Sequence, residues 1–166
     1  VVRKAVCQAP SLEPQIKKMI GNDENDGVIE EIFKREDLTE KDLDILSSAR
    51  NWKARALVSK HPNVTEEQLL KLAKDEEKRV KLQLAKRSTI PGKVILELVF
   101  GEKQGNNIKK LVLKKDLDSD SLIELSKKGD DYVKKVISKR EDLPNEAKAI
   151  LSEDPNETVR SNLKAS

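Results

Sequence analysis

Aliphatic residues return along this chain with a period of about 26 residues. A marker position is aliphatic six times, with successive spacings of 26, 26, 26, 27 and 26. The markers are Leu12, Leu38, Val64, Ile90, Leu117 and Leu143. Eight positions after them stand Ile20, Leu46, Leu72, Leu98, Leu125 and Leu151. Ten positions before them, or nine in the fifth unit, stand the anchors Val2, Val28, Ala54, Val80, Ile108 and Val133. Such regularity over six units indicates a repeat array.

Each unit shows helical spacing of apolar residues twice, with a break between the two stripes. In the fourth unit Val80 and Leu84 belong to one stripe, and Ile95 and Leu98 belong to the next. Residues that favour helix starts follow the markers, at Thr39, Thr65, Pro91, Asp118 and Pro144. The first helices are predicted over 1–9, 26–35, 52–60, 77–87, 106–115, 130–140 and 156–164. The second helices are predicted over 13–21, 39–48, 65–74, 91–101, 119–128 and 144–152.

These short helices predict an all-α fold in which stacking supplies the stability. The expected architecture is an α-solenoid of about six 26-residue two-helix repeats plus a partial C-terminal repeat, forming a single domain over 1–166. Only four aromatic residues and 38% charged residues argue against a deep globular core. Each repeat of a solenoid needs to bury only a narrow stripe against its neighbours. Because the first residues already follow the helical phase and no initiator Met is present, we expect the chain to be part of a longer one.

The segment DEEKRVKLQLA at 75–85, the turn Ser88–Pro91 and the following Leu-rich stretch resemble the leucine-rich repeat variant family, a HEAT-like helical repeat. The resemblance covers essentially the whole chain, and Asp154–Arg160 and Val2-Arg3 repeat its opening motif. It implies a right-handed superhelix in which one helix of each unit can be 3₁₀. Some family members carry an amino-terminal iron–sulfur module with a cysteine cluster. Cys7 alone cannot supply that cluster, so no cofactor is expected.

Polar residues also recur in register with the repeats. Aspartate stands eleven positions after the marker at Asp23, Asp75 and Asp154, and this position is Ala49, Gly101 or Lys128 in other units. A basic residue follows the anchor at Arg3, Arg55, Lys81, Lys109, Lys134 and Arg160, whereas the second unit has Ile29. The recurrence predicts a ladder between neighbouring units. An insertion at 101–107 predicts a bulging loop. Trp52 either fills space beside the small anchor Ala54 or is an exposed interaction hot spot.

A basic pair recurs at the predicted end of the first helix of each unit. The pairs are Lys34-Arg35, Lys60-His61, Lys86-Arg87, Lys114-Lys115 and Lys139-Arg140. Two consecutive acidic residues follow the pairs of the second and sixth units at once, so Lys60, Lys86, Arg87, Lys114 and Lys115 are the candidate basic surface. Three interpretations stay open: cations that favour a helix C-terminus, binding of a nucleic-acid backbone, or binding of an acidic protein.

The sequence offers no catalytic or metal-binding constellation. His61 is the only histidine and lies two repeats from Cys7, so the two are not expected to form a nucleophile–base pair. A net charge of +3 does not by itself indicate a polyanion partner. No apolar run is long enough for a membrane span, and a single cysteine fits a cytoplasmic protein. We therefore predict a non-catalytic scaffold that binds a protein or peptide, with nucleic-acid backbone binding as the alternative.

Overall fold

A computed structural model describes residues 2–101 and 106–164 of the chain. Within these ranges the protein is all-helical, with thirteen α-helices and no strand. The first-row helices are α1 (Val2–Val6), α3 (Asp26–Ile32), α5 (Trp52–Val58), α7 (Lys78–Ala85), α9 (Asn106–Val112), α11 (Asp131–Ile137) and α13 (Glu157–Lys164). The second-row helices are α2 (Pro14–Gly21), α4 (Glu40–Ser47), α6 (Glu66–Ala73), α8 (Gly92–Phe100), α10 (Ser119–Lys128) and α12 (Asn145–Ser152). The all-α prediction is confirmed, and each helix lies within a predicted range.

Polar side chains fix where the helices begin. Thr39 and Thr65 form complete capping boxes with Asp42 and Gln68, in which each side chain accepts a backbone N–H of the other residue. Asp118 caps α10 by accepting from the Ser121 N–H at 2.7 Å. In α8 and α12 the residue before the helix is a proline, and no side chain caps these two starts.

The first-row helices α1, α3, α5, α7, α9 and α11 end earlier than predicted. The helices α3 and α5 end at Ile32 and Val58, and the basic pairs lie in the turns that follow. In those turns the backbone N–H groups bond three residues back, as from Lys60 to the Leu57 carbonyl at 3.0 Å. Such i→i+3 bonds satisfy carbonyls that the helix end leaves free. Both rows are α-helical over the described residues, so the 3₁₀ helix implied by the family resemblance does not appear there.

The chain divides into two compact units, Val1–Arg87 and Ser88–Ser166. In the first unit α2 packs on α3, α4 on α5 and α6 on α7, so each second-row helix contacts the first-row helix that follows it. Helices of one row also pack on one another, α1 on α3, α3 on α5 and α5 on α7. The second unit repeats the first pattern with α8 on α9, α10 on α11 and α12 on α13.

The periodic aliphatic residues form the core of each unit. Leu46, Leu72, Leu98, Leu125 and Leu151 are all buried, which confirms the sequence prediction for these positions. The anchors Val28, Ala54, Val80, Ile108 and Val133 are buried as well. Val2 is the exception among the anchors, with 77% of its surface exposed. Residues 102–105 of the predicted bulging loop lie outside the described ranges. No helix among the described residues is long and apolar enough to cross a membrane.

Candidate interaction surfaces

An ion pair joins successive first-row helices at the centre of the first unit. Arg55, on α5, donates from Nε to Asp75 Oδ2 at 2.6 Å and from Nη2 to Asp75 Oδ1 at 3.0 Å. Asp75 lies in the turn before α7, where its Oδ1 also accepts the Glu77 N–H at 2.8 Å. The same carboxylate therefore orders the start of one repeat and binds the helix of the repeat before it.

The same arrangement recurs in two other repeats. Arg3 lies 3.1 Å from Asp23 Oδ2, and Lys134 lies 2.8 Å from Asp154 Oδ2. Burial raises the pKa of Asp154, but the Lys134 ammonium and the Asn156 N–H outweigh burial and hold the pKa below its usual value. These three inter-repeat ion pairs confirm the predicted ladder between neighbouring units at three of its positions.

In the fifth repeat a different acidic residue forms the inter-repeat ion pair. Lys128 replaces the aspartate of the repeat pattern, and Lys109 instead binds Asp130 Oδ2 at 2.6 Å. Asp130 is the N-cap residue of α11, where its Oδ1 accepts the Val133 N–H at 2.9 Å. A carboxylate two positions further along the chain thus performs both tasks of the missing aspartate.

One candidate of the basic surface, Arg87, has a structural role that the sequence did not predict. Arg87 Nη1 donates to the carbonyls of Ser59 at 2.6 Å and His61 at 3.2 Å. These two carbonyls belong to the equivalent turn one repeat earlier. Arg35 and Arg140 do the same, as Arg35 bonds the Cys7 and Ala9 carbonyls at 2.9 and 2.6 Å. We call these three contacts arginine bridges.

The arginine bridges change the interpretation of the candidate basic surface. One of the three interpretations left open by the sequence was that these cations stabilise the C-terminus of their own helix. Instead, each bridging arginine donates hydrogen bonds to backbone carbonyls at the end of the equivalent helix one repeat earlier. Arg35 and Arg140 each also bind the aspartate two residues further along the chain. Arg35 Nε lies 2.8 Å from Asp37, and Arg140 Nε lies 2.8 Å from Asp142. Guanidinium binding holds the pKa of Asp37 and that of Asp142 below their usual values.

The remaining candidates of the basic surface differ in exposure. Lys60, Lys86 and Lys114 are exposed, whereas Arg87 and Lys115 are half-buried. Among the described residues, no carboxylate forms an ion pair with Lys60, Lys86 or Lys114. Their counterpart Lys34, by contrast, lies 2.7 Å from Glu31. Lys60 and Lys86 belong to the first compact unit and Lys114 to the second.

Trp52 opens α5 and is half-buried under an arginine of the next repeat. The Arg79 guanidinium lies 4.1 Å from the centre of the Trp52 ring, a cation–π arrangement. Arg79 is in turn held by Glu77 at 3.0 Å, which raises the pKa of Arg79. The space beside Ala54 is occupied by Ile29 and Ala49. Sequence reasoning did not find Arg79, because its distance from Trp52 along the chain matches no recurring polar pattern.

Cys7 and His61 occupy separate structural settings. Cys7 is buried, and its thiol donates to the Val28 carbonyl at 3.6 Å. Burial raises the pKa of this thiol, which disfavours the nucleophilic thiolate. The His61 ring accepts the Asn63 N–H through Nδ1 at 3.2 Å. Burial and the nearby Arg87 charge lower the pKa of His61, so the neutral ring is favoured.

Over the part of the chain that the structure describes, no group of three or more His, Cys, Asp or Glu residues is arranged to hold a metal ion. No protein-family model, curated protein or solved structure matches this chain. The arrangement therefore has to be interpreted from its own contacts. Some side chains link neighbouring repeats through those contacts, whereas others remain accessible.

Proposed function

We propose that this chain is a non-catalytic helical-repeat scaffold that binds a protein or peptide partner. The proposal includes an α-solenoid of about six two-helix repeats with a partial repeat at the C-terminus, related to the leucine-rich repeat variant family. A cytoplasmic location belongs to the same proposal, since the only cysteine is a free thiol. Repeat scaffolds present extended surfaces that need no special chemistry.

The observation that carries the proposal is the recurrence of the inter-repeat ion pair. Arg3–Asp23, Arg55–Asp75 and Lys134–Asp154 link neighbouring repeats at equivalent positions. A contact that recurs at equivalent junctions is typical of arrays whose stability is a sum over neighbouring repeats. These three ion pairs are thus explained by the fold, and accessible side chains outside them are left to bind a partner.

Trp52 and Arg79 form the part of this surface best suited to a protein partner. Trp and Arg are the residue types that most often dominate binding energy at interfaces. Stacking on Trp52 and the bond to Glu77 restrict the Arg79 side chain, so less conformational entropy is lost on binding. The pair therefore presents a preorganised, amphipathic patch at the start of α5.

The test compares Trp52→Ala with Phe100→Ala. Phe100 is a matched control because it is another partly exposed aromatic residue, 40% exposed, at the end of α8. A partner captured with the wild-type protein and then purified should bind the Trp52 variant at least about tenfold more weakly, the size of a hot-spot effect. The Phe100 variant should keep its affinity. Equal affinities for all three proteins, with unchanged helical content, would contradict the proposed surface.

Binding to a nucleic-acid backbone is the second candidate, because Lys60 and Lys86 are exposed at one repeat position and form no ion pair within the described part of the chain. If Lys60 and Lys86 of the first compact unit each neutralise a phosphate, log affinity should fall against log salt with a slope of about −1.8. Lys60→Glu with Lys86→Glu should weaken binding to duplex DNA or RNA strongly. Lys4→Glu with Lys18→Glu is the matched charge reversal and should have little effect. Absence of salt-dependent binding at low ionic strength eliminates this candidate.

A further inference from the structure

His61 stands at the repeat position that holds the bridging arginine in three other repeats. The equivalent residues are Arg35, Arg87 and Arg140. The imidazole of His61 is half-buried, and its Nδ1 accepts the N–H of Asn63 at 3.2 Å in the turn that follows α5. A ring nitrogen that accepts a hydrogen bond carries no proton, so this contact belongs to the neutral form of the ring.

His61 also takes part in the bridge made by Arg87. Arg87 Nη1 donates to the Ser59 carbonyl at 2.6 Å and to the His61 carbonyl at 3.2 Å. The same residue therefore supplies an acceptor to the bridge through its backbone and places a titratable ring close to the bridging guanidinium. Burial lowers the pKa of His61, and the charge of Arg87 lowers it further.

The other charges around His61 do not offset that of Arg87. The elements next to its turn are the turns after α3 and α7, since α5 packs on both helices, and the start of α6. The charged residues of these elements and of the turn itself are Lys34, Arg35, Glu36, Asp37, Lys60, Glu66, Glu67, Lys86 and Arg87. Within the described residues, none of the carboxylates forms an ion pair with the imidazole or raises its pKa. A proton on the ring would therefore lie beside a cation without a neighbouring anion to stabilise it.

Protonation changes both contacts of this residue. The imidazolium carries a hydrogen on each nitrogen, so Nδ1 can no longer accept the Asn63 N–H. Its charge also repels the Arg87 guanidinium, and this repulsion falls when the guanidinium leaves the two carbonyls. We infer that His61 is an acid-sensitive switch for the arginine bridge between the third and fourth repeats, closed while the ring is neutral and opened when the ring is protonated. This inference concerns regulation of the first compact unit and goes beyond the proposed scaffold function, whichever partner binds.

The direction of the pKa shift gives the pH range of the switch. Because the folded pKa of His61 is lowered, the unfolded chain takes up the proton at a higher pH than the folded chain. The stabilisation is complete above the unfolded pKa of about 6.5 and is lost as the pH falls through the folded pKa. An open bridge would leave Arg87 and the charged His61 ring near the exposed Lys60 and Lys86, so the basic turns would gain positive charge in mild acid.

NMR tests the protonation step in the wild-type protein. His61 is the only histidine of the chain, so one ring signal reports its titration. We expect this signal to titrate below a pH of about 6.5, and the amide signal of Asn63 to shift with the same midpoint. In Arg87→Ala the ring should titrate at a higher pH, because the neighbouring charge is gone. A wild-type ring midpoint of about 6.5 or above, or an Asn63 amide that does not follow the ring, overturns the inference.

Urea unfolding tests the bridge itself, at about one pH unit above and below the measured ring midpoint. Above that midpoint Arg87→Ala should lower the urea concentration at half-unfolding. Below it the bridge of the wild-type protein is already open, so the same substitution should lower this concentration by about half as much or less. An effect of Arg87→Ala that does not depend on pH overturns the inference.

Two further variants assign the pH dependence to His61. The amide oxygen of His61→Gln can accept the Asn63 N–H but does not titrate, so in this background Arg87→Ala should have the same effect at both pH values. Arg35→Ala is the matched control, because it removes the bridge to the Cys7 and Ala9 carbonyls, where no histidine stands. Its effect should also be the same at both pH values. An equal decrease with pH in the wild-type and His61→Gln backgrounds overturns the inference.

Discussion

Ile29 and Ala49 occupy the two positions that carry the inter-repeat ion pair in neighbouring repeats. They are twenty residues apart, as are Arg3 and Asp23 before them and Arg55 and Asp75 after them. Ile29 is fully buried and Ala49 is 6% exposed, and together with Ala54 they form a buried apolar cluster. Ile29 and Ala49 both depart from the repeat pattern. Together they replace the inter-repeat ion pair with an apolar contact.

The first prediction exchanges this apolar contact for the ionic one. Ile29→Arg alone and Ala49→Asp alone should each destabilise the protein by about 2 kcal/mol or more, because each buries a charge without its partner. The double variant restores the pattern of Arg55 and Asp75. Its loss in the free energy of unfolding should be smaller than the sum of the losses of the two single variants by at least about 1 kcal/mol.

Urea unfolding of the four proteins measures this coupling. Ile29→Val is the control for loss of packing alone, with an expected cost of about 1 kcal/mol. Additive effects of the two charged substitutions would show that the two side chains do not meet when charged.

The sequence predicts the fold more completely than it predicts the contacts that stabilise the fold. Positions such as Leu46 and Leu72 recur at a fixed spacing, and burial of one face is what that spacing requires. The recurring Asp and Arg predicted a ladder, but the substitution at Ile29 and Ala49 was not recognised as a pair. Each departure was visible, yet only the packing of α3 against the residues before α5 shows that they touch.

The second prediction concerns the ion pair of Arg55 and Asp75. Asp75→Ala removes a carboxylate that accepts two bonds from Arg55 and one from the Glu77 N–H. We expect a loss of about 2 to 3 kcal/mol in the free energy of unfolding, since bonds to charged groups are the stronger ones. The control is Asp44→Ala.

Asp44 also faces a lysine, but its side chain is 67% exposed and lies 3.6 Å from Lys71. Exposed pairs of this kind contribute about 0 to 1 kcal/mol. Similar losses for Asp75→Ala and Asp44→Ala in chemical unfolding would mean that Asp75 does not hold neighbouring repeats together.

The third prediction is a loss of stability in acid that depends on Asp42. Burial raises the pKa of this carboxyl, but Lys17 at 2.6 Å and the hydrogen bonds from Thr39 outweigh it, so its pKa lies below the usual value. Because the folded pKa is lowered, the stabilisation is complete above the unfolded pKa of about 4 and is lost as the pH falls through the folded pKa.

Asp42→Asn should therefore lower the unfolding temperature at pH 7 and flatten its dependence on pH between about 5 and 2. Lys17→Met should flatten the same range, because it removes the charge that favours the ionised carboxyl. Thermal unfolding followed by circular dichroism across this range measures both effects. A pH profile parallel to that of the wild-type protein in both variants would contradict the assignment to this pair.

The candidate binding site was less predictable than the fold for a physical reason. Lys86 and Arg87 are adjacent in sequence and have the same charge, so composition does not distinguish them. Their roles differ because the long planar guanidinium of Arg87 reaches two carbonyls of the preceding repeat, whereas Lys86 is exposed. The position of the earlier turn, which only the packing shows, decides this difference.

The fourth prediction separates these two neighbours by stability. Arg87→Ala leaves the Ser59 and His61 carbonyls without the Nη1 donor, so we expect a cost of about 1 to 3 kcal/mol. Lys86→Ala changes an exposed side chain and should stay within about 0.5 kcal/mol of the wild-type protein. Arg140→Ala removes the equivalent bridge in the second compact unit and should resemble Arg87→Ala. Equal unfolding midpoints for the Lys86 and Arg87 variants would show that the bridge contributes nothing, and would return Arg87 to the surface available for binding.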